Sequence, residues 1–486
     1  MTEERGLSRG TGLARSVLAG RGMATTVEGR GSAGDVLHRV FDGHLGSFLD
    51  ELEERGGDLP AHVRRELDAY RACGDFSQGF GWLTCKGCDH HRLVPLSCSG
   101  RGFCPSCGGR RMAELAEHWM ERVFPAAPVR QFVWTLPWGR HRLLAYRADL
   151  CRGVRREYLD ELKQWYAEQA GAQGAPAGSE TGLVTVVHRA GSALQLNYHL
   201  HTLAIAGAYG RDEEGKVQFT RVPAPTTEEV ERLVVRVAVR VERWLSSQGY
   251  GLEEEAYVDD ADTMLVLQEA SAAHRAALGV RAGKKTRRMQ MLGGREFPLP
   301  PRCASYEGYN LHANVVVGAH DREALRRLCR YIARPPLAKC RLEERGDGAL
   351  VLRMKRPWSD GTTSIVFDPV ELIGKLVALI PPRHFNLTSY AGVFASRSAL
   401  RADVVPAPPP EEVFKKVCEH PSSSSRWVPW ATLLKHVFGL DAWACPRCGE
   451  QMELRCILRG PRIINKVLHD LSKSSRGPPQ PPAVFT

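Results

Sequence analysis

Residues 183–205 read LVTVVHRAGSALQLNYHLHTLAI. Two β-prone runs stand out in it, Leu183–His188 and Leu194–Ile205, and each predicts a strand. In a strand, residues two apart share a face. His199 and His201 then project together, while Tyr198 and Leu200 turn to the opposite, core side. Two imidazoles on one strand face can grip a single divalent ion. If the two strands pair antiparallel, His188 meets the same face as a third ligand. A His-x-His pair also arises by chance and in unrelated hydrolases, and single histidines are more often structural than ligating.

Working outward, helical spacing marks Gly34–Arg55, Pro60–Ala72, Met112–Phe124, Leu143–Ala170, Thr227–Ser247 and Thr263–Leu278. Gln131–Leu136 and Tyr309–Val317 read as strands, and Leu350–Lys355 with Thr362–Phe367 as a hairpin.

Arg322–Arg334 predicts a helix stopped by Pro335-Pro336, with Leu325, Leu328, Cys329 and Ile332 as its apolar stripe. At 100° per residue Tyr331 lies off that stripe, on the face of Arg327 and Arg334. Guanidinium groups suit phosphate oxygens, and a phenol between them is placed to attack a phosphodiester. A tyrosine capping the edge of the core has the same pattern. Lys284, Lys285, Arg287 and Arg288, in the run RAGKKTRRMQ, are candidate backbone contacts for DNA or a solvated loop.

Cys85-x2-Cys88 and Cys104-x2-Cys107 are two knuckles with the ligand number of a tetrahedral Zn2+ site. Cys73 and Cys98 are extra candidates. Nearby Arg101 is a candidate DNA contact. A further pair, Cys445 and Cys448, has the knuckle shape but no second CxxC after it. Zinc or a plain turn both fit there, with Cys456 and Cys418 as candidate partners.

Zinc knuckles, then His-x-His, then a helical tyrosine, in this order, resemble the rolling-circle transposases of the insertion-sequence-91 class, within the HUH endonuclease superfamily. The motifs are CKGCDHHRLVPLSCSGRGFCPSCGGRRM (85–112), LNYHLHTL (196–203), LHANVVVGAHDREALRRLCRYIARPPLA (311–338), RPWSDGTTSIVFDPVELI (356–373) and CPRCGEQMELRCIL (445–458). The resemblance implies an α+β fold, with a catalytic domain built on a central antiparallel sheet and flanking helices. It implies Mg2+ or Mn2+ on His199 and His201, and Tyr331 as the nucleophile that becomes linked to a 5′-phosphate of single-stranded DNA. His188 stands where the family usually has a polar ligand, often glutamine. Arg327 stands four before Tyr331, where two-tyrosine members carry their other tyrosine, so the chain resembles a single-tyrosine form. Tyr390, in another family-like stretch, reads as structural. A plasmid relaxase or replication initiator would use the same chemistry, and a non-catalytic zinc-dependent DNA-binding protein is a different class of reading.

Composition agrees with a DNA partner. Over 486 residues, 66 Lys and Arg outnumber 55 Asp and Glu, a net charge of +11. No secretory signal, run of about 18 apolar residues or Walker GxxxxGK[ST] motif is present, so a cytoplasmic location and no nucleotide hydrolysis are expected, and the resemblance implies a DNA-associated bacterial enzyme. Oligomeric state is not legible. The expected domain sequence is a disordered 1–33, a helical and zinc-binding 34–125, a catalytic 126–345, a hairpin and helical extension 346–400, a proline-rich linker 401–430, a CxxC unit 431–470 and a disordered 471–486.

Overall fold

The computed structural model describes residues 25–27, 35–88, 90–251, 262–291, 300–407, 444–460 and 462–467. Residues 471–486, Cys418 and most of 1–33 lie outside them, as does the linker beyond residue 407. The chain forms two units, each discontinuous in sequence. One comprises Met1–Arg39, Glu66–Gly100 and Arg426–Thr486, the other Val40–Arg65 and Arg101–Ser425. The fold is α+β, as the sequence predicts.

The larger unit is built on six strands: β1 (Val129–Thr135), β2 (Gly182–Ala190), β3 (Leu196–Ile205), β4 (Cys303–Tyr306), β5 (Tyr309–Val317) and β6 (Thr388–Gly392). They form one sheet in the order β4-β5-β1-β3-β2-β6, with every neighbouring pair antiparallel. Four helices matter for the site: α1 (Pro105–Arg122), α2 (Ala148–Ala172), α3 (Thr227–Ser247) and α4 (Arg322–Ile332).

Strand alternation assigns each sheet face its helices. Tyr198, Leu200 and Ala204 of β3 join Phe132, Trp134, Val187 and Leu311 on one face. They pack on α2 and α3 through Tyr158, Leu162, Trp165, Val234 and Val237. Trp134 stacks on Tyr158 and Tyr309, with ring centroids 4.9 and 5.7 Å apart. Each such side chain contributes on the order of 1.5–3 kcal/mol on burial, so this layer holds the sheet rigid. Leu203 and Ile205 turn the other way, to Trp119, Leu325, Leu328, Cys329 and Ile332 of α1 and α4. His199 and His201 stand on that second side, where the apolar residues of β3 give way to polar ones.

The helix α3 begins with a capping box, in which Thr226 accepts from the Glu229 N–H and Glu229 reaches back to the Thr226 N–H. The predicted single helix Leu143–Ala170 is two, Trp138–Tyr146 and α2. Arg147 breaks it with extended backbone (φ −96°, ψ 94°), its side chain tied to Asp149 and Tyr250. Leu350–Arg353 and Thr362–Phe367 form the expected hairpin. Leu342–Glu344 and Arg287–Gln290 extend it to four strands, within the larger unit.

The smaller unit is a four-stranded ribbon, with Thr25–Val27, inside the segment expected to be disordered, pairing parallel to His91–Pro95 at one edge. Phe80–Cys85 pairs antiparallel with His91–Pro95 on one side and with Met452–Leu458 on the other. Met452 lies opposite Cys85. Phe80, Trp82, Leu93, Leu458 and Ile464 form its core. The residues around the C-terminal CxxC, expected to be a unit of their own, are one strand of this ribbon.

Candidate active site and thiol clusters

The β2–β3 register sets His188 opposite His199, and Val186 opposite His201. The three rings face one another, with centroids 5.2 Å (His188–His199), 4.4 Å (His188–His201) and 5.1 Å (His199–His201) apart. One nitrogen from each lies within 4.8 Å of the others. Each ring also has one nitrogen held by protein. His188 Nε2 donates to the Ile332 carbonyl at 2.5 Å, and His199 Nδ1 to the Asn197 carbonyl at 3.0 Å. His201 Nδ1 meets the Gln131 carboxamide at 2.8 Å. Such bonds fix ring orientation and leave the other nitrogen free for a metal.

Electrostatics favour the same use. Burial pushes His188 down to about 3, helped by the neighbouring His199 and Arg334 charges. Burial, with Arg334, takes His199 down to about 4. His201 is pushed well below its ordinary value by burial, then by His188, His199 and Arg334. The rings are therefore neutral near pH 7, the form in which imidazole ligates. Three neutral imidazoles with converging free nitrogens fit a divalent ion.

The helix α4 brings Tyr331 to this cluster. Asp321 caps its start by accepting the Ala324 N–H at 2.8 Å, and Leu325, Leu328, Cys329 and Ile332 are buried. The helix ends at Ile332, ahead of Pro335. Tyr331 remains 44% exposed, with its ring centroid 5.9 Å from that of His201. The Arg334 guanidinium lies over the phenol ring, 4.2 Å from its centroid. From α1, buried Glu117 pairs with Arg326 at 3.1 Å and Arg330 at 3.4 Å, clamping α4. Gly108 of the same helix faces Pro335 so closely that a Cβ there would sit 2.5 Å from the proline Cβ.

The remaining predicted residues divide. Arg327 is exposed, 3.8 Å from Glu323. Arg287 and Arg288 are on a strand and not in a loop, paired with Asp368 at 3.2 Å and Asp360 at 3.1 Å; Arg288 also covers Trp358. Lys284 and Lys285 lie in the turn before that strand, and Arg101 is exposed. Tyr390 accepts a hydrogen bond from Trp119 Nε1 at 3.0 Å and packs at the core edge. Sequence reading missed Gln131, which looks like one more core position of β1. It also missed Arg341 and Lys355. Burial lowers the pKa of both, and the Arg334 charge acts on each.

The expected zinc set of Cys85, Cys88, Cys104 and Cys107 is regrouped. Cys85 and Cys88 belong to the ribbon, whereas Cys104 and Cys107 begin α1 in the larger unit. The Cys85 and Cys88 thiols meet Cys445 and Cys448, all four within 4.8 Å. Spacing along the chain suggested adjacent pairs, but strand pairing brought in a distant one. Cys73 and Cys98 adjoin in the smaller unit, the Cys98 N–H lying 3.5 Å from Cys73 Sγ.

Known proteins bear on this arrangement. A transposase family model matches residues 182–401, and a transposase zinc-binding domain matches residues 41–136. The curated "Transposase for insertion sequence element IS801" of Pseudomonas savastanoi pv. phaseolicola is 22% identical over 415 residues, spanning 84% of this chain and 87% of that protein. No solved structure matches. The two family models and this relative identify a transposase with a zinc-binding domain. Together these matches support a rolling-circle transposase of the insertion-sequence-91 family. Among the described residues no helix is long and apolar enough to cross a membrane.

Proposed function

We propose that this transposase nicks and rejoins single-stranded DNA through a covalent 5′-phosphotyrosine link on Tyr331. The observation that carries the reading is the approach of an exposed phenol, 5.9 Å ring to ring, to three neutral imidazoles. The Tyr331 oxygen attacks phosphorus, the bond to the 3′-oxygen of the preceding nucleotide breaks, and that oxygen leaves as a free 3′-hydroxyl once protonated. The energy of the phosphodiester is kept in the new bond, so a later 3′-hydroxyl can reverse the step on another strand. His188, His199 and His201 hold a divalent ion, Mg2+ or Mn2+; when bound it supplies positive charge to the scissile phosphate and the departing oxygen. Gln131 fixes the orientation of His201. Arg334, Arg341 and Lys355 attract the phosphate backbone, and Arg334 leaves the phenol face to meet it. Zinc has a structural role in the cysteine-rich part.

The test is incubation of the protein with a labelled single-stranded copy of its element's end and Mn2+. A covalent protein–DNA adduct is expected, and none in Tyr331→Phe. An adduct of undiminished yield in that variant overturns the assignment.

A further inference from the structure

The cysteine-rich region matched to known transposases ends at residue 136, yet two of the thiols around Cys85 come from far beyond it. Cys85 Sγ lies 3.4 Å from Cys448 Sγ, and Cys88 Sγ 3.6 Å from Cys445 Sγ. A disulfide needs about 2.05 Å, so these are not oxidised pairs. A tetrahedral zinc with Zn–S bonds of about 2.3 Å has sulfur–sulfur edges of about 3.8 Å. The thiols stand close to that spacing.

The backbone around them is also built for thiolates, and twice over. In the first knuckle the Gly87 N–H points at Cys85 Sγ at 3.4 Å; in the second, the Arg447 N–H points at Cys445 Sγ, also at 3.4 Å. The Cys85 N–H donates to the His90 carbonyl at 2.8 Å, and the Cys445 N–H to the Glu450 carbonyl at 2.8 Å. The two turns therefore share one hydrogen-bonding scheme at equivalent positions. Amide donors aimed at sulfur stabilise the negative charge that a thiolate carries on binding metal. Lys86 of the first turn also pairs with Glu453, just past the second. The local core under the thiols is small, comprising Leu83, Met452 and partly buried Val94 besides the cysteines. A core of that size holds two chain segments weakly unless something staples them.

We propose that Cys85, Cys88, Cys445 and Cys448 bind one structural zinc ion, so that the knuckle in the N-terminal part is completed only by the C-terminal CxxC, 357 residues on from Cys88. Zinc then supplies the closure of a very long loop, and metal binding and ribbon formation are one event. This inference is independent of the nicking chemistry.

Differential alkylation of the full chain tests it. In zinc-loaded protein, Cys85, Cys88, Cys445 and Cys448 resist N-ethylmaleimide together, as read by peptide mass spectrometry. Stripping zinc with a chelator exposes all four at once, and adding Zn2+ alone restores protection. Rapid labelling of Cys445 and Cys448 while Cys85 and Cys88 stay protected overturns the proposal. Measured zinc falls by one ion per chain in Cys445→Ser/Cys448→Ser and is retained in Cys448→His, which keeps a ligand. An unchanged zinc content in the double variant also overturns it. If the double variant does not fold, the labelling of the unaltered chain decides alone.

Discussion

Replacing Gly108 by alanine separates position from stability in the tyrosine site. The added Cβ would lie 2.5 Å from Pro335 Cβ and 3.6 Å from Pro335 Cα. Ordinary contact begins near 3.4 Å, so the proline must retreat by about 0.9 Å. Pro335 directly follows Arg334 and comes four residues after Tyr331, so the retreat acts on the end of α4 that carries the phenol. Crowding of this kind costs about 1–3 kcal/mol. Alanine within a helix returns up to ~1 kcal/mol relative to glycine. The net cost is then about 0–2 kcal/mol, and the melting temperature should fall by a few degrees at most. Catalysis is less forgiving, since a misplacement of about 1 Å can cost on the order of 100-fold. Single-turnover adduct formation with a labelled strand and Mn2+, beside a thermal melt, reads both quantities. A Gly108→Ala protein that folds normally and forms adduct at the unaltered rate would refute the idea that this contact positions Tyr331.

Further outcomes follow from other contacts. Gln131→Ala should weaken Mn2+ binding by about 10–100-fold, measured by calorimetry, because His201 loses the group that fixes its ring; unchanged affinity contradicts that role. Gly153→Ala would put a Cβ 1.9 Å from Trp244, so a loss of about 1–3 kcal/mol in denaturant melts is expected, without effect on Mn2+ affinity in the folded protein. The apoprotein should lose stability as pH falls. His188 and His199 are held at about 3 and about 4 when folded, against 6.5 when unfolded, so between about 6.5 and 4 the unfolded chain takes up protons the folded one refuses. Denaturant midpoints across that window should fall toward acid, and less steeply in His199→Gln; an equal slope would contradict it.

Much of this was readable in the sequence because local physics governs it. Alternation around Tyr198–His201 assigned the histidines to one face, and antiparallel pairing then had to bring His188 near them. Helical spacing over Thr227–Ser247 and the apolar stripe before Pro335-Pro336 set α3 and α4. What escaped depended on distant partners. Gln131 is unremarkable until β1 lies beside β3. Arg341 and Lys355 gain meaning only through Arg334, and the break at Arg147 turns on contacts with Tyr250 that no periodicity reveals. Spacing offered Cys104 and Cys107 to Cys85 and Cys88, because spacing cannot register a strand that returns after hundreds of residues.

That return sets a schedule during synthesis. A ribosome adding about 5–20 residues per second needs roughly 20–70 s to travel from Cys88 to Cys445. Throughout that interval the early knuckle stands outside the ribosome with two of the four clustered sulfurs still unmade.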